Sequence, residues 1–146
     1  MDTKDTKVKT IARIRFRSTI ALFVALAAGS AAAHHSFSAE YDQTKPIKLT
    51  GKVTEMLWSN PHAWIHLDVT GKNGKVVNWA FETGGANALY RRGWRRQDLV
   101  PGTVLVVDAF QARNGTPTAN AVSITFPDGR KLFSGGSAPG ANPDSK

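Results

Sequence analysis

The stretch that decides the fold is HAWIHLDVTGKNGKVVNWAF, residues 62–81. Apolar residues take alternate positions in each half, the period-two pattern of half-buried β-strands: Ala63, Ile65, Leu67, Val69, then Val77, Trp79 and Phe81. If Val69 lies opposite Val77, both point inward and Lys72-Asn73-Gly74 forms a three-residue loop. Glycine then occupies the position that needs a positive φ, so the stretch predicts a β-hairpin.

Further strands are predicted on both sides of this hairpin. Residues 48–58 alternate well enough for a strand that ends at Asn60-Pro61, and residues 104–110 and 121–126 form two more. Between the hairpin and the strand at residues 104–110, residues 86–92 predict a short helix closed by Gly93. The order strand, strand, strand, helix, strand, strand predicts an all-β domain with one short helix, a five-stranded OB-like barrel. A small open sandwich is the alternative.

The ends of the chain differ in composition from its middle. Residues 1–33 combine a basic start, an apolar run (IALFVALAA, residues 20–28) and an A-x-A ending, which predicts a signal peptide rather than a membrane anchor. No arginine pair precedes the apolar run, which favours the general secretory route. We therefore expect a periplasmic or secreted protein that contacts the membrane only before cleavage. Residues 34–44 form an N-terminal arm, 45–133 the barrel domain and 134–146 a disordered tail rich in Gly, Ser and Pro.

Composition narrows the function classes. The 146 residues suffice for one small domain, and the absence of cysteine excludes disulfide scaffolds and thiolate metal sites. The net charge of +8 first resembles that of a nucleic-acid binder. Removing residues 1–33 leaves 13 basic and 9 acidic residues, however, so much of the excess belongs to the targeting segment. We expect no nucleic-acid partner.

Four segments resemble a family of small secreted bacterial proteins catalogued as a domain of unknown function. They are HHSFSAEYD from residue 34, WSNPHAWIHLDV from residue 58, NWAFETGGANALYRRGWRR from residue 78 and PDGRKLF from residue 127. The resemblance covers nearly all of residues 34–133. It implies an exported OB-like domain and supplies no activity, cofactor or site residue.

Two consecutive histidines, His34 and His35, follow the predicted cleavage site. Cleavage after Ala33 would give His34 a free amine, which resembles the histidine brace of certain copper proteins. Cleavage after Ala32 or Ala31 would instead place a histidine third from the terminus, a square-planar arrangement suited to Cu(II) or Ni(II). Each of these cuts would leave a terminus that is competent to bind copper. The alternative is that the two histidines follow a signal peptide and bind no metal.

A brace also needs a donor from the domain. His62 and His66 share the outward face of one strand, and Glu82 falls opposite Trp64 on the next strand, diagonal to both histidines. The two histidines are four residues apart, about 13 Å, so one ion is not expected to bridge them. The predicted metal-binding residues are therefore His34, His35, His62, His66 and Glu82; the alternative is a solvated polar face.

A second candidate surface combines aromatic and basic side chains. Aromatic platforms flanked by arginines suit anionic ligands. The predicted ligand-binding residues of this surface are Trp64, Tyr90, Arg91, Arg92, Trp94, Arg95 and Arg96. In an exported protein the expected partner is an anionic glycan or an envelope protein. The alternative is that Tyr90 and Trp94 plug one end of the barrel and that the arginines pair with Asp98, Glu82 or Asp108.

No catalytic motif stands out. The chain has no cysteine nucleophile and no G-x-S-x-G elbow, and its serines sit in no recognisable triad setting. Asn60-Pro61-His62 lies at a strand boundary, where its chemistry favours a turn. We therefore expect a binding protein rather than an enzyme.

Overall fold

The computed structural model describes residues 37–143, which form a small all-β domain with short helical segments. Residues 37–40 make a helical turn. The elements that follow are β1 (Tyr41–Leu57), β2 (His62–Thr70), β3 (Val76–Gly84), the helix α1 (Ala86–Arg91), a 3₁₀ turn (Arg96–Leu99), β4 (Val104–Ala112), β5 (Thr118–Thr125) and β6 (Lys131–Phe133). None of the helices in this part of the chain is long and apolar enough to cross a membrane. The predicted signal peptide, residues 1–33, lies outside the described residues.

The strands form a single sheet in the order β3-β2-β1-β4-β5-β6. Neighbours in this order are antiparallel, and β3 also pairs with β5 in parallel, through Ala80–Glu82 and Thr118–Asn120. Strand β3 therefore pairs with β2 at one end of this series and with β5 at the other, so that the pairings of β1 to β5 form a closed series. The all-β prediction with a short helix between the third and fourth strands is confirmed. The strand count was wrong, because Lys131–Phe133 adds a sixth strand beside β5.

The hairpin of β2 and β3 has the predicted register. Val69 lies opposite Val77, and Gly71 N donates to Lys75 O at 2.8 Å, which leaves Lys72-Asn73-Gly74 as the loop. Gly74 has a φ of +78°, a value that glycine reaches without steric cost. The local alternation of residues therefore fixed both the strands and their pairing.

The main core lies under the inward face of this sheet. Ala63, Ile65 and Leu67 are fully buried, as the alternation predicts, and Phe81 faces them from β3. Trp94 closes the cluster from the loop after α1. Its ring meets that of Phe126 edge to face, with centroids 5.6 Å apart.

Strand β1 starts earlier than predicted. It begins at Tyr41, within the predicted arm, and pairs with β4 from there: Tyr41 faces Ala112 and Pro46 faces Phe110. Tyr41 is anchored because its ring stacks on Phe37 at 5.6 Å. Aromatic burial thus extends the ordered part of the chain towards its N-terminus beyond the region of clear alternation.

The predicted disordered tail is wrong for residues 134–143. Ser134, Ala138 and Ala141 are buried, and the two alanines pack with Phe37 and Tyr41 in a second apolar cluster. Ser134 N donates to Val122 O at 2.9 Å, and Gly135 N donates to Ala141 O at 3.0 Å. Small residues let this segment lie close to β5. Composition alone suggested disorder because no large apolar residue marks the segment.

Candidate functional site

The carboxylate of Glu82 is the centre of a hydrogen-bonded group on the outer face of the sheet. The Tyr41 hydroxyl donates to its Oε2 at 2.5 Å, and Nδ1 of His62 lies 2.7 Å from its Oε1. Glu82 pairs with Trp64 across β2 and β3, as the predicted register requires. The sequence therefore located Glu82 near His62 but did not reveal Tyr41 as its partner.

Glu82 is buried although it points away from the main core. Only 8% of the residue is exposed, because the second apolar cluster brings Phe37 and Tyr41 over this part of the sheet. A buried carboxylate is costly unless its oxygens accept hydrogen bonds. Tyr41 and His62 each satisfy one oxygen, so the arrangement holds both donors in defined positions.

Burial raises the pKa of the Tyr41 hydroxyl far above its usual range, and the hydrogen bond to Glu82 and the negative charges of Glu82 and Glu40 raise it further. The hydroxyl therefore remains a proton donor over the whole range in which proteins are normally handled. The Glu82 carboxylate keeps one oxygen bound to Tyr41, and the other oxygen is available to His62.

The pH dependence of stability tests this contact. The folded state keeps the Tyr41 proton above pH 10, where the unfolded chain releases it, so this contribution is complete below about pH 10 and is lost above it. We expect Tyr41→Phe to cost about 1–3 kcal/mol at pH 7, because one oxygen of the buried carboxylate loses its donor. The difference from the wild type should shrink as the pH rises to 11. Urea unfolding across this range measures it; a difference that stays constant would contradict the account.

His66 belongs to a different polar group. Its Nδ1 lies 3.3 Å from Asn78 Oδ1, and Asn78 Nδ2 donates to Asp68 Oδ1 at 2.8 Å and to Thr54 Oγ1 at 3.0 Å. The structure therefore does not join His66 to the contacts of Glu82. Within residues 37–143 no three His, Asp or Glu side chains are grouped as a metal site. His34 and His35 lie outside the described residues.

The predicted aromatic and arginine surface is only partly a surface. Trp94 is 0% exposed and its Nε1 donates to Phe133 O at 3.1 Å, so Trp94 cannot serve as a stacking platform. Arg92 Nη2 donates to Asn142 Oδ1 at 2.5 Å. Tyr90 is 59% exposed, and the Arg95 guanidinium lies 4.2 Å from its ring centroid.

The alternative prediction was that the arginines of this surface pair with Asp98, Glu82 or Asp108. Within residues 37–143 these three carboxylates form their ion pairs with other residues. Asp98 pairs with Arg130 at 3.1 Å, whereas Asp108 pairs with Lys48 and Lys131. Arg91 and Arg96 are exposed. A role of Tyr90, Arg91, Arg95 and Arg96 in binding stays a prediction.

A pocket of about 410 Å³ lies next to Tyr41, on the outer side of the sheet. Its walls come from the helical turn and start of β1, from β2, and from the end of β4 with the following turn and β5: Ala39, Glu40, Tyr41, Trp64, Ala112, Arg113, Asn114, Thr116 and Thr118. The sequence singled out Trp64 alone among these residues. The others come from distant segments that no local pattern connects.

The comparison with protein families identifies the chain's relatives. Residues 21–121 match the model of a family described as "Family of unknown function (DUF6152)". The chain belongs to this family. The resemblance to a family of unknown function is therefore confirmed, although the match ends before the PDGRKLF segment. No curated protein and no solved structure matches the chain. Membership in this family supplies no activity, so function has to be argued from the geometry.

Proposed function

We propose that the protein is a small exported binding protein that holds a transition-metal ion, copper above all, through His62 and the processed N-terminus. The observation that carries this proposal is the 2.7 Å contact between His62 Nδ1 and the buried Glu82 carboxylate. A carboxylate that accepts from one imidazole nitrogen fixes the proton there and leaves the other nitrogen with a lone pair. The His62 side chain is 49% exposed, and its contact with Glu82 engages Nδ1 and not Nε2.

Glu82 acts in this proposal as the group that orients His62 and not as a metal ligand. Both of its oxygens are already engaged, by Tyr41 and by His62. Carboxylate–histidine–metal arrangements of this kind set the tautomer and the direction of the imidazole ring. The proposal therefore gives Glu82 a positioning role instead of the predicted role of a ligand.

The remaining donors come from the chain just before the described residues. His34 and His35 precede the first described residue, Phe37, in the sequence. Phe37 stacks on Tyr41, and Tyr41 contacts Glu82, which holds His62. In addition to His62 Nε2, the terminal amine and the imidazoles of His34 or His35 would supply the further nitrogen donors. Nitrogen donors in a tetragonal set favour Cu(II).

Export and the finer fold belong to the same proposal. The basic start, the apolar run and the A-x-A ending of residues 1–33 support cleavage and a periplasmic or secreted protein. The closed series of pairings through β1 to β5, with α1 between β3 and β4, supports a five-stranded OB-like barrel to which β6 is added.

The test is Cu(II) titration of the protein purified after export, read by electron paramagnetic resonance once intact mass has defined its N-terminus. We expect a tetragonal signal and a dissociation constant below about 1 μM. Replacing His34 and His35 with alanine should abolish the signal. His62→Ala should weaken copper binding at least as much as Glu82→Gln, for which a loss of about 10–100-fold is expected.

Glu82→Gln is informative because it changes the direction of one hydrogen bond. When the glutamine oxygen accepts from Tyr41, its amide donates to His62 Nδ1, which moves the imidazole proton to Nε2 and removes the metal-binding lone pair. Nitrogen chemical shifts of the His62 ring report that tautomer directly. His66→Ala is the matched control and should leave the affinity unchanged. Unaltered copper binding by His62→Ala would overturn the role of His62.

A further inference from the structure

The pocket beside Trp64 is a second candidate binding site, which shares Tyr41 with the contacts of His62 but is lined by neither Glu82 nor His62. Two rows of side chains cross β2, β3 and β5 here. Trp64 pairs with Glu82, and His66 pairs with Ala80, which in turn pairs with Thr118. Ala80 is the smallest of these side chains. Trp64 on β2 and Thr118 on β5 both line the pocket.

The chemistry of the walls selects the class of ligand. The lining includes one indole, from Trp64, and uncharged polar groups from Asn114, Thr116 and Thr118. The two charged wall residues, Glu40 and Arg113, have opposite signs. The pocket thus offers an aromatic plane and several hydrogen-bonding groups without a net charge, whereas a site for an anion would carry an excess of positive charge.

The walls are held in place by hydrogen bonds. Arg113 Nε donates to Ser38 O at 2.7 Å and Arg113 N donates to Glu40 O at 2.9 Å, which ties the turn after β4 to the start of β1. Asn114 Oδ1 accepts from Thr116 N at 3.1 Å and from Thr116 Oγ1 at 2.7 Å. The amide group of Asn114 keeps its donors, and the Thr116 hydroxyl can still accept. Walls fixed before binding lower the entropic cost of holding a ligand.

We propose that this pocket binds a neutral carbohydrate of one or two sugar rings. The C–H face of a sugar ring would pack on the indole of Trp64, and its hydroxyl groups would bond to Asn114, Thr116 and Thr118. The volume of about 410 Å³ lies within the usual range of small-molecule sites. The ligand is uncharged, in contrast to the anionic glycan expected from the arginine cluster. The proposal does not depend on the metal.

Nuclear magnetic resonance titration of the full chain tests the proposal. The neutral probes are glucose, galactose, mannose, N-acetylglucosamine, maltose and cellobiose, and the charged counterpart is glucuronate. We expect at least one neutral sugar to shift the indole N–H resonance of Trp64 in a saturable way. Glucuronate should bind more weakly than glucose, because no excess positive charge compensates its carboxylate.

Two variants assign the binding to the pocket. Trp64→Ala should weaken the affinity by about tenfold or more, since it removes the large aromatic contact surface. Thr118→Val keeps the shape of the side chain and its preference for a strand, and it should weaken binding by about fivefold through the lost hydroxyl. Val76→Ala is the control, because it shortens an exposed apolar side chain outside the pocket. Binding should be unchanged in Val76→Ala.

Three outcomes would overturn the proposal. In the first, none of the neutral sugars shifts the Trp64 resonance. In the second, glucuronate binds at least as tightly as glucose. In the third, Thr118→Val, folded by circular dichroism, binds sugar as the wild type does. His62→Ala should retain sugar binding, so failure of the copper site and failure of the sugar site are distinguishable.

Discussion

Replacing Trp94 with alanine is expected to lower the free energy of unfolding by about 3–5 kcal/mol, the cost of removing a large aromatic ring from a packed core. Trp94 is fully buried, packs against Phe126 and donates to Phe133 O at 3.1 Å. The substitution leaves both a cavity and an unpaired carbonyl near β6. Urea unfolding followed by far-ultraviolet circular dichroism measures the change.

Tyr90→Ala is the comparison for this prediction. Tyr90 lies four residues earlier and is 59% exposed, so its loss should cost no more than about 1 kcal/mol, including the contact with Arg95. A similar small cost for Trp94→Ala would show that Trp94 is not a core residue. The aromatic and arginine surface would then regain the stacking platform that the sequence assigned to it.

Gly84→Ala is expected to cost about 2–4 kcal/mol, in the range of overpacking and strain in well-packed sites. A methyl group at this position would lie 2.5 Å from Gly135 O and 3.1 Å from Ser134 O, which are backbone atoms that cannot rotate away. The end of β3 and the segment 134–143 would be forced apart. The bond from Gly84 N to Ser134 O would be lost with them.

Hydrogen exchange locates this effect. In Gly84→Ala the amides of Gly135 and Ala141, which are bonded within the segment, should exchange faster, while those of the hairpin β2–β3 keep their protection. Gly71→Ala serves as the control, because its methyl group would meet the side-chain oxygen of Asn73 at 3.1 Å, which can move. Equal protection of Gly135 in both variants would contradict the close approach.

The sequence predicted the part of the fold in which the paired residues lie close together along the chain. The β2–β3 hairpin, its loop and the pairing of Trp64 with Glu82 all follow from alternation over some twenty residues. The segment 134–143 could not be predicted in this way. Its buried alanines pack with Phe37 and Tyr41, which lie about a hundred residues earlier in the chain, and Tyr41 itself pairs with Ala112 of β4.

In the candidate site, too, contacts between nearby segments could be predicted and contacts between distant segments could not. The sequence located Glu82 near His62 because both follow from one strand register. It could not show that Tyr41 donates to Glu82, since nothing local links two residues so far apart. The buried position of Trp94 was one of two open alternatives. Spacing could not decide between them, because an arginine-rich loop presents the same sequence whether its tryptophan faces solvent or the core.

The parallel contact between β3 and β5 has a consequence for the rate of folding. The β2–β3 hairpin can form early because its partners are adjacent in the chain, but Ala80 meets Thr118 only after α1, the 3₁₀ turn and β4 have been placed. Closing such long loops costs entropy before any contact compensates it, and proteins dominated by non-local pairing fold in milliseconds to seconds. Folding of this domain should therefore be limited by the closure step, and substitutions in β5 should slow refolding more than substitutions in the β2–β3 loop.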